Sequence, residues 1–149
     1  MRRRVRFNAS CDYTLPGIDT LDCNKLLGRS YGTKGPHWNS VRFGFRPDPT
    51  NAHNDIKRTQ IVAYCYVEGV RQWVKAEWPM LYSASNGAFL DLEIVDDGSQ
   101  WILSVYTTHG RLIASHAVAH GPLPKYGMTC GLYFGGDATL DHALDLDIS

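Results

Sequence analysis

Hydrophobic and polar residues alternate with a period of two along most of this chain, and no segment shows the i, i+3, i+4, i+7 spacing of an amphipathic helix. A period of two places successive side chains on opposite faces of a β-strand. Clusters of Gly, Pro, Asp and Asn separate the alternating segments, as expected for turns and loops. The pattern predicts strands over residues 3–11, 38–45, 60–67, 70–78, 88–95, 100–107, 112–118, 128–134 and 142–148.

The segments between the predicted strands have the composition of turns. Asp97-Gly98 and His109-Gly110 favour hairpins because glycine adopts positive φ without strain. The two prolines of GPLPKYG, residues 121–127, exclude a central strand there. Short strands joined in this way predict one all-β domain over residues 1–149, in which two antiparallel sheets pack as a sandwich.

The first and last predicted strands carry complementary charges on one face and apolar residues on the other. If these strands pair antiparallel, arginines lie opposite aspartates, and such cross-strand pairs contribute roughly 0.2–1 kcal/mol each. We therefore predict that the terminal strands are adjacent. A nucleic-acid or lipid patch is the alternative interpretation of the arginines. The charged residues are Arg2, Arg4, Arg6, Asp145 and Asp147.

Aromatic side chains occupy the polar phase of the segment TQIVAYCYVEGVRQWVKAEW, residues 59–78, where an exposed strand face usually carries lysine or threonine. If the alternate apolar residues of this segment and of residues 41–45 and 130–134 point to the core, one opposite face gathers rings and hydrogen-bonding groups. That face comprises Arg42, Gln60, Tyr64, Tyr66, Arg71, Trp73, Lys75, Glu77 and Tyr133.

Rings interspersed with polar groups favour carbohydrate binding. An aromatic ring covers the C–H face of a pyranose, forked donors and acceptors bind its hydroxyls, and arginine or lysine suits a uronate carboxylate. We predict non-catalytic polysaccharide binding on a concave sheet face. Two alternatives are a ligand-free sheet stabilised by cross-strand aromatic pairs and a protein–protein module. The predicted ligand-binding residues are Arg42, Gln60, Tyr64, Tyr66, Trp73, Lys75, Glu77 and Tyr133.

The ending YGMTCGLYFGGDATLDHALDLDIS, residues 126–149, resembles the closing strands of bacterial members of the concanavalin A-like jelly-roll superfamily. That superfamily includes lectins, laminin-G-like modules and polysaccharide-degrading enzymes. The resemblance implies an antiparallel two-sheet jelly-roll sandwich with neighbouring terminal strands. It also implies that the concave face of one sheet binds the glycan.

Two enzymatic alternatives were compared with the sequence. Arg42, Gln60 and Tyr133 would match positions in the residue pattern of jelly-roll alginate lyases. However, Val62 stands where that pattern has histidine, and the late lysine of the pattern is missing. A glycoside hydrolase needs two carboxylates about 5–9 Å apart, which Asp91 and Glu93 could supply. We assign no catalytic residue, and a lyase or hydrolase using the same groove remains the alternative to binding.

Charge and hydropathy restrict the partners. Fifteen basic residues balance fifteen acidic ones, which argues against a nucleic-acid partner because such proteins carry excess positive charge. No apolar run approaches the length of a membrane span. The basic start MRRRVRFNAS is not followed by the apolar segment of a signal peptide. The compartment therefore stays open between the cytoplasm and export after signal removal.

The cysteines and the aspartates in turns are the residues that bear on metal binding and disulfide bonds. The chain has no C-x-x-C, so no zinc site is predicted. No other cofactor is predicted either. Structural calcium is an open alternative, although aspartates in turns usually cap their own backbone. Cys11 and Cys23 could pair if the protein is exported, whereas the other two cysteines lie in phase with apolar neighbours. The candidate calcium ligands are Asp96, Asp97, Asp137 and Asp141.

Overall fold

The computed structural model describes residues 1–15, 22–72, 79–134 and 143–149. These residues form eleven β-strands and two short 3-10 helices, Ala9–Cys11 and Pro49–His53. The strands are β1 (Arg2–Phe7), β2 (Asn24–Tyr31), β3 (Ser40–Pro47), β4 (Arg58–Val67), β5 (Val70–Arg71), β6 (Met80–Ser85), β7 (Phe89–Asp96), β8 (Gln100–Thr107), β9 (Leu112–Ala119), β10 (Gly127–Cys130) and β11 (Leu146–Ile148).

The strands form two antiparallel sheets. The five-stranded sheet has the order β11-β1-β7-β8-β9, and the six-stranded sheet has the order β10-β2-β3-β4-β5, with β6 also paired to β4. Every pair of neighbouring strands runs antiparallel. The predicted all-β architecture of two antiparallel sheets is confirmed.

The main core lies between the two sheets and draws buried apolar residues from both. The Phe7 and Phe45 rings, from β1 and β3, have centroids 5.3 Å apart. At another point of the core the Tyr31 and Trp101 rings, from β2 and β8, stack at 5.7 Å. Burial of such large rings provides much of the driving force for closing a sandwich.

The predicted pairing of the terminal strands is confirmed. β1 pairs antiparallel with β11, and Arg6 stands opposite Asp147, to which its Nε donates over 2.7 Å. Arg2 and Arg4 have a different partner from the one the sequence indicated. Both bind Asp91 of β7, the neighbour of β1 on its other side, over 3.1 and 2.8 Å.

Two strands were missed by the sequence pattern, β2 and β6. β2 has no period-two signal because it lies between β10 and β3, with all but one of its residues buried. A strand covered on both faces can be apolar or neutral at every position.

The turns at Asp97-Gly98 and His109-Gly110 do connect β7 to β8 and β8 to β9. The predicted strand 70–78 is seen only as Val70–Arg71, because residues 73–78 lie outside the described ranges.

Candidate ligand-binding face

The predicted face is the side of β2, β3 and β4 that points away from the main core, called here the outer face. The assignment of side chains to the two sides is confirmed for β3 and β4. It is wrong for three residues predicted to face the core, since Val70, Leu132 and Phe134 are 64%, 42% and 45% exposed. Val41, Phe43 and Phe45 belong to the main core, and so do the alternate apolar residues of β4. The predicted accessibility is wrong for three residues of the outer face, since Arg42, Gln60 and Tyr64 are all buried.

The outer face is covered at its centre by residues that precede β2. Cys23 packs with Val62 and Tyr64 in a second, smaller apolar cluster. The close approach depends on Gly44, because a Cβ there would lie 3.0 Å from Val62 Cγ2 and 3.3 Å from Cys23 Cβ. Val62, which replaces the histidine of the lyase pattern, is therefore a packing residue.

Cations and aromatic rings meet beside this covered centre. Lys25 Nζ lies 4.8 Å from the centroid of the Tyr64 ring and 5.8 Å from that of Tyr133. Arg42 Cζ lies 4.8 Å from the Tyr64 centroid. The ring of Tyr66 is 5.8 Å from Tyr64. We call the following set the cation–aromatic cluster: Lys25, His37, Arg42, Tyr64, Tyr66 and Tyr133.

Arg42 is the most deeply buried cation of the cluster, with 4% of its surface exposed. Its stem crosses β2 at Gly28, where a Cβ would lie 2.5 Å from Arg42 Cγ. Its Nη2 donates to the carbonyl oxygen of Pro36 over 3.5 Å, a long hydrogen bond. Its buried Nε has no hydrogen-bond partner, and no carboxylate of the described residues forms an ion pair with it.

The exposed margin of the cluster is formed by His37 and the half-buried Tyr66, whose rings lie 5.0 Å apart. Partial burial and the positive charges of Arg42 and Lys25 lower the pKa of His37. Burial and a hydrogen bond with Tyr66 raise the pKa of Tyr64. The imidazole is therefore neutral near pH 7, and a positive potential extends from the buried cations to this margin.

Tyr133 comes from a distant part of the chain and joins the cluster through the backbone. Its N–H and carbonyl oxygen exchange two hydrogen bonds of 2.8 Å with Lys25. The Tyr133 side chain is 63% exposed, so this ring is open to a ligand.

Arg71 pairs with Tyr66 across β5 and β4 and is half-buried. The other predicted site residues, Trp73, Lys75 and Glu77, lie outside the described residues.

Gln60 belongs to another part of the outer face. Its Oε1 accepts a hydrogen bond of 2.9 Å from the buried Arg46, and its side chain also hydrogen-bonds Asp48. Gln60 is thus held in a polar network and is not part of the cation–aromatic cluster. Sequence reasoning missed Lys25, because β2 was not recognised. His37, at the entrance of a predicted strand, could rim the groove on sequence grounds, but a plain loop residue was the preferred interpretation.

The two acids of the hydrolase alternative, Asp91 and Glu93, both make structural contacts. Asp91 binds Arg2 and Arg4, and the hydrogen bond from Arg4, assisted by Arg2, lowers its pKa. Glu93 accepts a hydrogen bond of 3.1 Å from the Tyr106 hydroxyl. A general acid for glycoside cleavage requires a raised pKa instead. These contacts explain both carboxylates without catalysis.

The candidate calcium ligands in the β7–β8 turn bind their own backbone. Asp97 Oδ1 accepts from the N–H groups of Ser99 and Gln100, each over 2.9 Å, and Asp96 Oδ1 accepts from Gly98 over 2.9 Å. Within the described ranges no three His, Cys, Asp or Glu side chains are grouped as metal ligands. The remaining candidates, Asp137 and Asp141, lie outside those ranges.

The cysteines are thiols in this structure. Cys11 and Cys23 are buried and are not joined by a disulfide bond. Cys65 is fully buried in the main core, where burial raises the pKa of its thiol to about 12, and Cys130 is partly buried. A thiol with a pKa that high is protonated at neutral pH and acts as a small apolar group.

Comparison with known proteins returned no relative: the chain matches no protein-family model, no curated protein and no solved structure. In the part of the chain that the structure describes, no helix combines the length and hydropathy needed to cross a membrane. The function must therefore be inferred from the side chains of the outer face.

Proposed function

We propose that the chain binds an acidic polysaccharide non-covalently at the cation–aromatic cluster. The observation that carries the proposal is the burial of Arg42 with an unpartnered Nε beside the Tyr64 ring. The proposal includes a jelly-roll fold of the concanavalin A-like type. The adjacent terminal strands and the two-sheet strand order support that fold.

Arg42 favours an acidic ligand because its guanidinium is incompletely satisfied by the protein. Burying a charged group without full hydrogen bonding costs free energy, and a ligand carboxylate near the buried guanidinium would offset part of that cost by its charge. Lys25 adds a second positive charge between the same rings. The carboxylate of Asp22 also acts electrostatically on Tyr64, so the cluster and this acid together carry one net positive charge.

The exposed rings favour a sugar as the body of that ligand. Tyr133 presents an open ring face, and Tyr66 and His37 form the margin next to the buried cations. A pyranose stacks on such rings through its C–H groups while its hydroxyls and carboxylate hydrogen-bond the polar atoms nearby. A neutral sugar would leave Arg42 as unsatisfied as it is without ligand.

The proposal is tested by calorimetric titration with oligogalacturonate and with its fully methyl-esterified form. We expect binding of the acid and at least about tenfold weaker binding of the ester, since esterification removes the charge that Arg42 recognises. Equal affinities, or no binding of either ligand, would contradict the proposal.

A pair of tyrosine variants locates the site. Tyr133→Ala should weaken binding of oligogalacturonate by about five- to tenfold, the effect of losing one stacked ring. Tyr126→Ala is the matched control, because Tyr126 is 61% exposed, close to the 63% of Tyr133, and lies outside the cluster. Equal losses in both variants would mean that the ligand binds elsewhere.

A polysaccharide lyase is the second candidate function, favoured by the contact of His37 with Tyr66 at the margin of the cluster. Neutral His37 could take the C5 proton of a uronate. The electron pair then forms the C4–C5 double bond, the C4–O bond breaks, and the Tyr66 hydroxyl protonates the leaving oxygen. Ultraviolet absorbance of the unsaturated product separates lyase from binder, and His37→Gln should abolish it.

A further inference from the structure

A cavity of about 320 Å³ lies beside Gln60, at the opposite end of the outer face from Tyr66. We call it the end cavity. Its volume falls in the range of small-molecule sites, about 300–1,000 Å³. It lies between the segment that follows β1 and the loop that joins β3 to β4. Its lining includes Asp12, Tyr13, Arg46, Asp48, Ala52 and Lys57.

Hydrogen bonds hold the walls of the end cavity in place. Asn51 Nδ2 donates to Asp12 Oδ1 over 2.6 Å and to the carbonyl oxygen of Arg58 over 2.8 Å, and Asn51 Oδ1 accepts from the Arg58 N–H over 2.9 Å. One buried amide thus ties the segment after β1 to the start of β4. A site whose walls are already ordered loses little conformational freedom when a ligand binds.

The acids of the end cavity are already satisfied by the protein. Asp48 accepts from the Thr50 N–H over 2.9 Å and from the hydroxyls of Thr50 and Ser83. Although burial alone would raise it, these bonds lower the pKa of Asp48. Asp12 accepts from Asn51 and lies 3.6 Å from Lys57 Nζ. Neither carboxylate therefore needs a cationic ligand.

The ammonium group of Lys57 has donors that are available to a ligand. An ammonium group has three donors, and Lys57 Nζ donates to the carbonyl oxygen of Asn51 over 2.8 Å. Its contact with Asp12 at 3.6 Å is longer than a hydrogen bond. The Tyr13 ring, Pro47 and Pro49 add flat apolar surface to the lining.

We infer that the end cavity binds a small carboxylic acid with one flat apolar face. Lys57 would bind the carboxylate at the exposed side, and the Tyr13 ring with the two prolines would cover the apolar face. This inference does not rest on the acidic-polysaccharide proposal, since the end cavity shares no residue with the cation–aromatic cluster.

The test is an amide-shift titration of the full chain by NMR with benzoate and with uncharged benzamide. We expect benzoate, added up to about 10 mM, to shift the amides of residues 12–14 and 46–57, and benzamide to bind at least about fivefold more weakly. Lys57→Gln should reduce benzoate affinity to that of benzamide. Absence of benzoate shifts in this region, or equal affinity for the two probes, would overturn the inference.

A blocking variant and its neighbour provide the matched control. Ala52 is exposed and lines the end cavity, whereas the next residue, His53, is exposed and does not line it. Ala52→Trp should abolish benzoate binding and His53→Trp should leave it unchanged. Benzoate shifts that persist in Ala52→Trp would overturn the inference. Oligogalacturonate binding should be the same in both variants, so a failure here is distinct from a failure at the cluster.

Discussion

Three arginines of β1, Arg2, Arg4 and Arg6, have an environment opposite to that of Arg42 on β3. The side chains of Arg2 and Arg4 are 45% and 46% exposed, and both bind the carboxylate of Asp91. Arg6 binds Asp147 in the same manner. Arg42 is 4% exposed and has no carboxylate partner among the residues described. Ion pairs with the neighbouring strands explain Arg2, Arg4 and Arg6, whereas no such pair explains Arg42.

The difference indicates which charge serves folding and which is available for a ligand. Exposed ion pairs contribute at most about 1 kcal/mol each, but they also impose little desolvation penalty. A buried and incompletely paired cation destabilises the fold. Arg42 therefore calls for an explanation beyond stability, and the acidic ligand proposed above is one. The following substitutions test this contrast, ordered by their expected effect on the free energy of unfolding.

Gly28→Ala should have the largest effect, because the new Cβ would lie 2.1 Å from the Val41 carbonyl oxygen and 2.5 Å from Arg42 Cγ. β2 and β3 must then separate or Arg42 must leave its position. We expect a loss of about 3 kcal/mol or more, measured by urea unfolding. Gly121→Ala is the matched control, because Gly121 also lacks a positive φ and a Cβ there would meet nothing within 4 Å. A similar loss in that variant would show that crowding is not responsible.

Asp91→Ala should destabilise the five-stranded sheet by about 2 kcal/mol. The substitution removes the acceptor shared by Arg2 and Arg4. Denaturant unfolding measures the loss. Oligogalacturonate affinity should be unchanged, because Asp91 and the cation–aromatic cluster are on different sheets. A parallel loss of affinity would show that the two regions are coupled.

Arg42→Met should raise the free energy of unfolding by about 1 kcal/mol, since it replaces a buried cation by an apolar chain of similar length. The same variant should lose oligogalacturonate binding. Arg6→Met on β1 is the matched control, and it should lower stability by less than about 1 kcal/mol. Destabilisation in Arg42→Met would mean that the guanidinium serves folding and that the contrast with β1 is wrong.

The ion pairs of Asp91 should also make stability depend on pH, with a smaller effect than the substitutions above. Because the pKa of Asp91 is lowered in the folded state, its stabilising contribution is present above the unfolded pKa of about 3.9 and is lost as the pH falls through the folded value. We expect stability to decrease below about pH 4 more steeply in the wild type than in Asp91→Asn. Equal slopes in the wild type and in Asp91→Asn would show that the titration of Asp91 does not cause the loss of stability in acid.

The sequence was most informative about which side of a strand faces the main core. The alternation in β3 and β4 assigned Val41, Phe43 and Phe45 to the core correctly. The opposing charges of Arg6 and Asp147 predicted the pairing of the terminal strands. The alternation is a local signal, because residues two positions apart on a strand point to the same face of the sheet.

The sequence was least informative where a second layer of residues covers the sheet. Nothing in the alternation of β4 indicates that Cys23 packs on Val62 and Tyr64. The same lack of a local signal hid β2, and with it Lys25, which places its ammonium between two tyrosine rings. Contacts between distant parts of the chain have no period that a sequence pattern could reveal.

The sequence by itself determined the all-β class with most of its strands, the sides of β3 and β4 that face the core and the pairing of the chain ends. Only the tertiary structure decided which outward residues meet solvent, because accessibility depends on what packs on top of a side chain, and side-chain alternation depends only on backbone geometry. Tyr64 and Tyr133 show the result. Both were assigned to one open face, yet the first is 5% exposed and the second 63% exposed.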